Sequence, residues 1–153
     1  MKAFQLLKEH KNKILVFLLA ILVIMQFFPI DKTNPAVIEE QEFLNIMQPP
    51  ESISNLLKNA CFDCHSNHSK YPWYTNIAPL SWWIKGHIDH GRGKLNFSEW
   101  GSYSEKKANH KIEELVEFVS EKRMPLLSYI IAHPEARLTK EEREEIVEWF
   151  SGL

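Results

Sequence analysis

Cys61, Cys64 and His65 stand in the pentapeptide Cys-Phe-Asp-Cys-His, the C-x-x-C-H spacing that attaches a c-type haem. Two thiols three residues apart reach the two vinyl groups of one porphyrin. The histidine after the second thiol then places an imidazole nitrogen on the iron from one face. Phe62 and Asp63, between the thiols, take no part in that attachment. Three other readings of the same residues compete. A redox dithiol ordinarily comes with a βαβ pattern, and the sequence has none. A zinc site from Cys61, Cys64, His65 and His68 would crowd two consecutive ligands onto one tetrahedral ion. A plain disulfide is the third. These are the chain's only cysteines, so haem attachment leaves no thiol for a structural bridge.

The second face of the iron decides the chemistry. Met124 precedes Pro125 at the predicted end of a helix, on a stretch able to fold over a porphyrin. A thioether there raises the reduction potential and closes the site to exchangeable ligands, which suits electron transfer. The alternative is a methionine filling a gap in the core. His87 is the rival ligand, on the apolar face of its helix beside Trp83 and Ile84. His68 lies too near His65 in sequence to reach the opposite face, and His90, His110 and His133 read as surface or structural residues. If neither Met124 nor His87 binds, the sixth site is open and the chain becomes a haem sensor or a peroxidase-like enzyme. The aromatic residues Trp73, Tyr74, Trp82, Trp83, Phe97, Trp100 and Tyr103 read equally as core or as the lining of a haem crevice. Arg92, Lys94 and Arg137 are candidate partners for the propionates.

The elements that must position these residues are helical. Ile53, Leu56, Leu57 and Ala60 recur at helical spacing behind Ser52 as N-cap, and deliver the chain into the pentapeptide. Residues 66–79, with Pro72 and Pro79, predict an ordered loop. Leu80, Trp83, Ile84, His87 and Ile88 form the apolar face of the next helix, which Gly91 can close. After a loop, Ser102 and Glu105 predict a capping box for a helix near 103–122 with the stripe Ile112, Leu115, Val116 and Val119. The stretch from Met124 to Pro134 reads as irregular. Thr139 and Glu142 cap a last helix carrying Ile146, Val147, Trp149 and Phe150. No strict period-2 alternation occurs, so the class is all-α.

Ahead of this domain, Ile14–Ile30 is a seventeen-residue run interrupted only by Gln26 and Pro29. As one helix it would be roughly 26 Å long, just enough to cross a hydrocarbon core. A signal peptide is the other reading, but Gln26-Phe27-Phe28-Pro29 lacks the small residues of a cleavage site. Residues 1–30 carry a net charge of +3 and residues 31–153 a net charge of −5. With lysines before the run and acids after it, the expected topology leaves the N-terminus in the cytoplasm and the domain outside. The expected organisation is therefore a single transmembrane anchor over 1–30, a linker over 31–50 and a helical domain over 51–153. The absence of a basic stripe argues against nucleic acid.

Four stretches together resemble a known family: C61-F-D-C-H65, KYPWYTNIAPLSWW, LNFSEWGSYS and KRMPLLSYIIAHPEARLT. Over roughly residues 45–153 the chain resembles the bacterial membrane-anchored haem-binding domain family, related to class I cytochromes c. The resemblance implies one covalent haem c on Cys61 and Cys64, His65 as proximal ligand, and Met124 at the distal position. It also implies maturation outside the cytoplasmic membrane. The expectation is a small cytochrome c-like domain that passes electrons between membrane-linked and periplasmic redox proteins. A haem sensor, a peroxidase-like enzyme and a zinc-stabilised interaction module are the alternatives.

Overall fold

In the computed structural model of the chain, the backbone is described from Lys2 to Leu153 and the side chains from His10 onward. Among the described residues, eight α-helices span Lys2–Met25 (α1), Phe43–Met47 (α2), Glu51–Ala60 (α3), Phe62–His65 (α4), Leu80–Lys94 (α5), Glu105–Ser120 (α6), Leu127–Ala132 (α7) and Lys140–Ser151 (α8). Short 3-10 helices lie at Glu39–Gln41, Trp73–Asn76, Phe97–Ser102 and Pro134–Ala136. No strand occurs among the described residues, in keeping with an all-α class.

The chain divides into two compact units. One comprises residues 1–32 and 71–86, the other residues 33–70 and 87–153. In the first, the expected transmembrane helix does not form: no helix among the described residues is long and apolar enough to cross a membrane. The reason lies at Gln26. The helix stops at Met25, so its apolar part from Ile14 is about 18 Å long, against the ~30 Å of a hydrocarbon core. The turn then tightens, with the N–H groups of Gln26 and Phe27 donating to the carbonyls of Val23 and Ile24 at 3.1 Å each. The Gln26 amide pairs with the backbone of Ala78, donating to its carbonyl and accepting from its N–H, both at 3.0 Å. Trp82 Nε1 donates to the Phe28 carbonyl at 2.8 Å. The side chains of Lys2, Lys8 and Glu9, on which part of the charge asymmetry rests, lie outside the described residues. This unit leaves large apolar groups in the open, including Trp73 (73% exposed) and Phe27 (78%).

The second unit holds the core. Phe43 is fully buried and meets four rings, those of Phe97, Trp100, Trp149 and Phe150, with centroids 4.9–6.0 Å away. It comes from the segment expected to be a connector, where no helical period announced it. Ile53, Leu57, Val119, Ile146 and Phe150 complete the core from α3, α6 and α8. The capping box of α8 is present, with Thr139 Oγ1 accepting from the Glu142 N–H and Glu142 Oε2 accepting from the Thr139 N–H. At α6 the cap is Ser104, not Ser102, which sits in the preceding 3-10 helix. Residues 127–132, expected to be irregular, form α7.

Two further expectations change at α5. The helix runs through Gly91 instead of stopping there. A Cβ at Gly91 would lie 2.7 Å from the Cys64 carbonyl oxygen, so this glycine permits a close backbone approach and is not a cap. The buried positions are Ser81, Ile88 and Gly91, while Leu80 and Trp83 of the expected apolar face are exposed.

Candidate functional site

Cys61 both ends α3 and precedes α4. Its carbonyl accepts from the N–H groups of Cys64 at 3.1 Å and His65 at 2.9 Å, closing one helical turn. Positions i, i+3 and i+4 share a helix face, so Cys61, Cys64 and His65 project together. The turn cannot continue because Ser66 is extended, and its hydroxyl takes the Phe62 carbonyl at 2.7 Å. The network behind it is polar and buried. Asn67 donates to the Ala36 carbonyl at 2.9 Å and accepts from Asn96 Nδ2 at 3.0 Å, and Ser98 Oγ accepts from the Asn67 N–H at 3.0 Å.

His65 is held by the residue that follows α5. A carbonyl can only accept, so the 3.1 Å contact between Nδ1 and the Leu95 oxygen places the proton on Nδ1. The lone pair is then on Nε2, the state a metal ligand needs. Burial pushes the imidazole pKa below 6.5, partly opposed by the carbonyls of Leu95 and Gly91. Cys61 and Cys64 are free, half-buried thiols. Burial pushes Cys61 up to about 12, helped by Cys64, and Cys64 up to about 11, helped by Asp63 and opposed by Arg92. Thiols this reluctant to ionise are poor redox nucleophiles. They keep the S–H that a thioether bond to a vinyl carbon consumes. The donor set therefore fits a haem carried on Cys61, Cys64 and His65. Among the described residues no cluster of three or more His, Cys, Asp or Glu side chains is arranged to hold a metal ion by itself.

The two residues between the thiols have structural roles that the motif does not reveal. Phe62 is buried and stacks on Phe97 at 5.2 Å, rooting the turn in the core. Asp63 is buried, accepting from the Tyr129 hydroxyl at 2.8 Å and from the Lys70 N–H at 3.2 Å. Tyr129 has its pKa raised by burial first and then by Asp63, and its ring stacks on His133 at 4.3 Å. Arg92, a candidate propionate partner from the sequence, is instead committed to protein. It donates to the Ser66 carbonyl at 2.7 Å, Asn34 Oδ1 at 2.6 Å and Ser69 Oγ at 2.8 Å. Arg137 and Lys94 are exposed.

The candidate distal residues fall in different settings. Met124 follows α6 in a tight turn, half-buried, and is not among the side chains packed on the core cluster. Its N–H donates to the Phe118 carbonyl at 3.0 Å, and its own carbonyl accepts from Arg143 at 2.6 Å. His87 is half-buried on α5, one turn before Gly91. His68 contacts the buried Glu42 through Nε2 at 3.1 Å, His133 contacts Glu135 at 3.2 Å, and His110 lies beside Glu114 at 3.4 Å. The Leu95 carbonyl, the Asp63–Tyr129 bond and Arg143 carry no periodic or motif signal. Gly91, one of three glycines in the α5 segment, read in the sequence as a helix end and not as a close approach.

No curated protein and no solved structure matches the chain. A family model described as a haem-binding domain matches residues 20–152, which include the thiol-imidazole turn, the α5 helix behind it and the Met124 turn. On that match, and with a donor set that fits the cofactor, the chain belongs to the haem-binding domain family.

Proposed function

We propose that the chain carries one covalent haem c through Cys61 and Cys64, with His65 and Met124 as its axial ligands, and that it is a one-electron carrier. The observation that carries this reading is the His65 tautomer: Nδ1 is engaged by the Leu95 carbonyl in a turn that puts both thiols on the imidazole's side. Bound haem supplies a reversible one-electron iron couple. The protein's part is to hold the thiols protonated, fix the imidazole and present the thioether.

Met124 is preferred over His87 for two reasons. Tyr129, five residues after Met124, bonds to Asp63 inside the attachment turn, so the α7 segment is tied to the site. His87 belongs to α5, which packs against Cys64 at Gly91 and leads directly into Leu95, the residue that holds His65. A ligand for the opposite iron face has to come from elsewhere.

The working place that fits this chemistry is the outer side of the cytoplasmic membrane, where haem c is attached, with membrane-linked and periplasmic redox proteins as partners. The exposed apolar surface of the α1 unit supports contact with a lipid surface or a membrane protein there. The deciding measurement is a haem stain of the denatured polypeptide, made with the cytochrome c maturation machinery, together with its visible spectrum. Colour should stay with the chain, and the ferric form should show the weak sulfur-to-iron band in the far red. Colour that leaves the chain sinks the covalent reading. Ready binding of carbon monoxide by the reduced wild type would mean an open sixth site and a sensor or peroxidase-like enzyme.

A further inference from the structure

The Met124 turn is held in an unusual way. Lys122 is left-handed, with φ at 60°, and the N–H groups of Arg123 and Met124 both return to the Phe118 carbonyl at 2.9 and 3.0 Å. The turn is closed by backbone alone on that side. On the other side stands one side chain. Arg143, half-buried in the first turn of α8, donates through one Nη to the Val119 carbonyl at 3.0 Å and to the Met124 carbonyl at 2.6 Å. Val119 is in the last turn of α6, at the negative helix end, and its carbonyl accepts from the Lys122 N–H at 3.1 Å as well as from Arg143. A guanidinium suits this place because it is always charged and its donors are fixed in a plane. Three of its acidic neighbours on α8 are engaged elsewhere: Glu142 with the Thr139 cap, Glu144 with Lys140 and Glu145 with Ser52.

From this geometry we infer that Arg143 is the positioning residue of the distal ligand, tethering the Met124 turn to a helix anchored in the core. The inference rests on the reading of Met124 as the iron ligand. Ile146 and Phe150 hold α8 in the core, and Arg143 transmits that rigidity to a turn whose methionine is not packed on it. Without the tether, the turn opens more readily and the thioether yields to added ligands.

The test uses the full chain loaded with haem: wild type, Arg143→Gln, Arg143→Lys, Met124→Leu and the double variant Arg143→Gln/Met124→Leu. Haem per chain, the sulfur-to-iron band of the ferric form and the affinity for added imidazole are read on each. Arg143→Gln should keep one haem per chain, weaken the band and bind imidazole about tenfold more tightly, as loss of a charge-assisted bond implies. Arg143→Lys should fall between it and the wild type. Met124→Leu should abolish the band, and in its background Arg143→Gln should change the imidazole affinity no further, because the two act along one route. Wild-type band and affinity in both Arg143 variants overturn the proposal. An undiminished imidazole effect in the Met124→Leu background also overturns it, since Arg143 would then act elsewhere. If Arg143→Gln does not hold haem, the lysine variant decides by the same criteria. A band that survives Met124→Leu refutes the ligand reading itself, which is a separate failure.

Discussion

Two turns present the candidate iron ligands, and they are held by different physics. The His65 turn is rooted in packing. Phe62 stacks on Phe97, the α5 backbone presses against Cys64 at Gly91, and Asp63 is pinned by Tyr129. The Met124 turn hangs from hydrogen bonds, two to the Phe118 carbonyl and two from Arg143, with its methionine outside the core cluster. Close-packed groups resist displacement in every direction, whereas a few hydrogen bonds can exchange with water. The difference assigns permanence to the side proposed to carry the covalent links and compliance to the side proposed to carry an exchangeable ligand.

The contrast breaks most severely at Phe43. Phe43→Ala removes a fully buried ring that meets four others and should cost about 3–5 kcal/mol. Because Phe43 touches Phe97, on which Phe62 stacks, haem loading should fall together with the urea midpoint. A near-neutral midpoint would mean that the core does not support the His65 turn. Gly91→Ala comes next. Its Cβ would stand 2.7 Å from a backbone oxygen that cannot rotate away, so a loss of about 1–3 kcal/mol and a lower yield of haem-bearing protein are expected. An unchanged yield and melting temperature would show that α5 does not press on the attachment turn.

Tyr129→Phe sharpens the comparison, since it deletes one hydroxyl and leaves Asp63 Oδ2 buried without that donor. About 1–3 kcal/mol should be lost in denaturant unfolding, with the far-red band retained. Loss of the band without loss of stability would relocate the Tyr129 contribution to the Met124 side. Thr139→Ala acts on the other turn by fraying the start of α8, four residues before Arg143. It should cost about 1 kcal/mol and raise imidazole affinity slightly.

The smallest effect concerns the thiols of the haem-free protein. Raised pKa values mean that folding favours the protonated forms. Their contribution to stability is therefore whole below the ordinary 9.0 and is lost as pH rises through about 11 and 12. Alkylation by iodoacetamide at pH 8 should be slower than in the urea-unfolded chain and should accelerate with pH beyond 9.0. Equal rates in the folded and unfolded chain at pH 8 would show that the thiols are not buried as described.

What the sequence determined by itself is what is local. The C-x-x-C-H spacing requires only one helical turn to bring its groups to one face, and the Thr139–Glu142 box and the apolar stripe of α6 likewise act within a few residues of chain. The end of α1 was decided by the Gln26 amide finding the backbone of Ala78, fifty-two residues away, which no hydropathy count can register. Phe43 became the centre of the core through rings from two distant segments. The state of His65 depends on a backbone carbonyl at Leu95, and every residue but proline offers the same N–H and C=O, so residue type cannot announce the contact. Asp63 and Arg92 show the complementary case. In the sequence Asp63 carried no signal and Arg92 read as a candidate propionate partner, and burial with specific partners, not residue type, turned both into structural bonds.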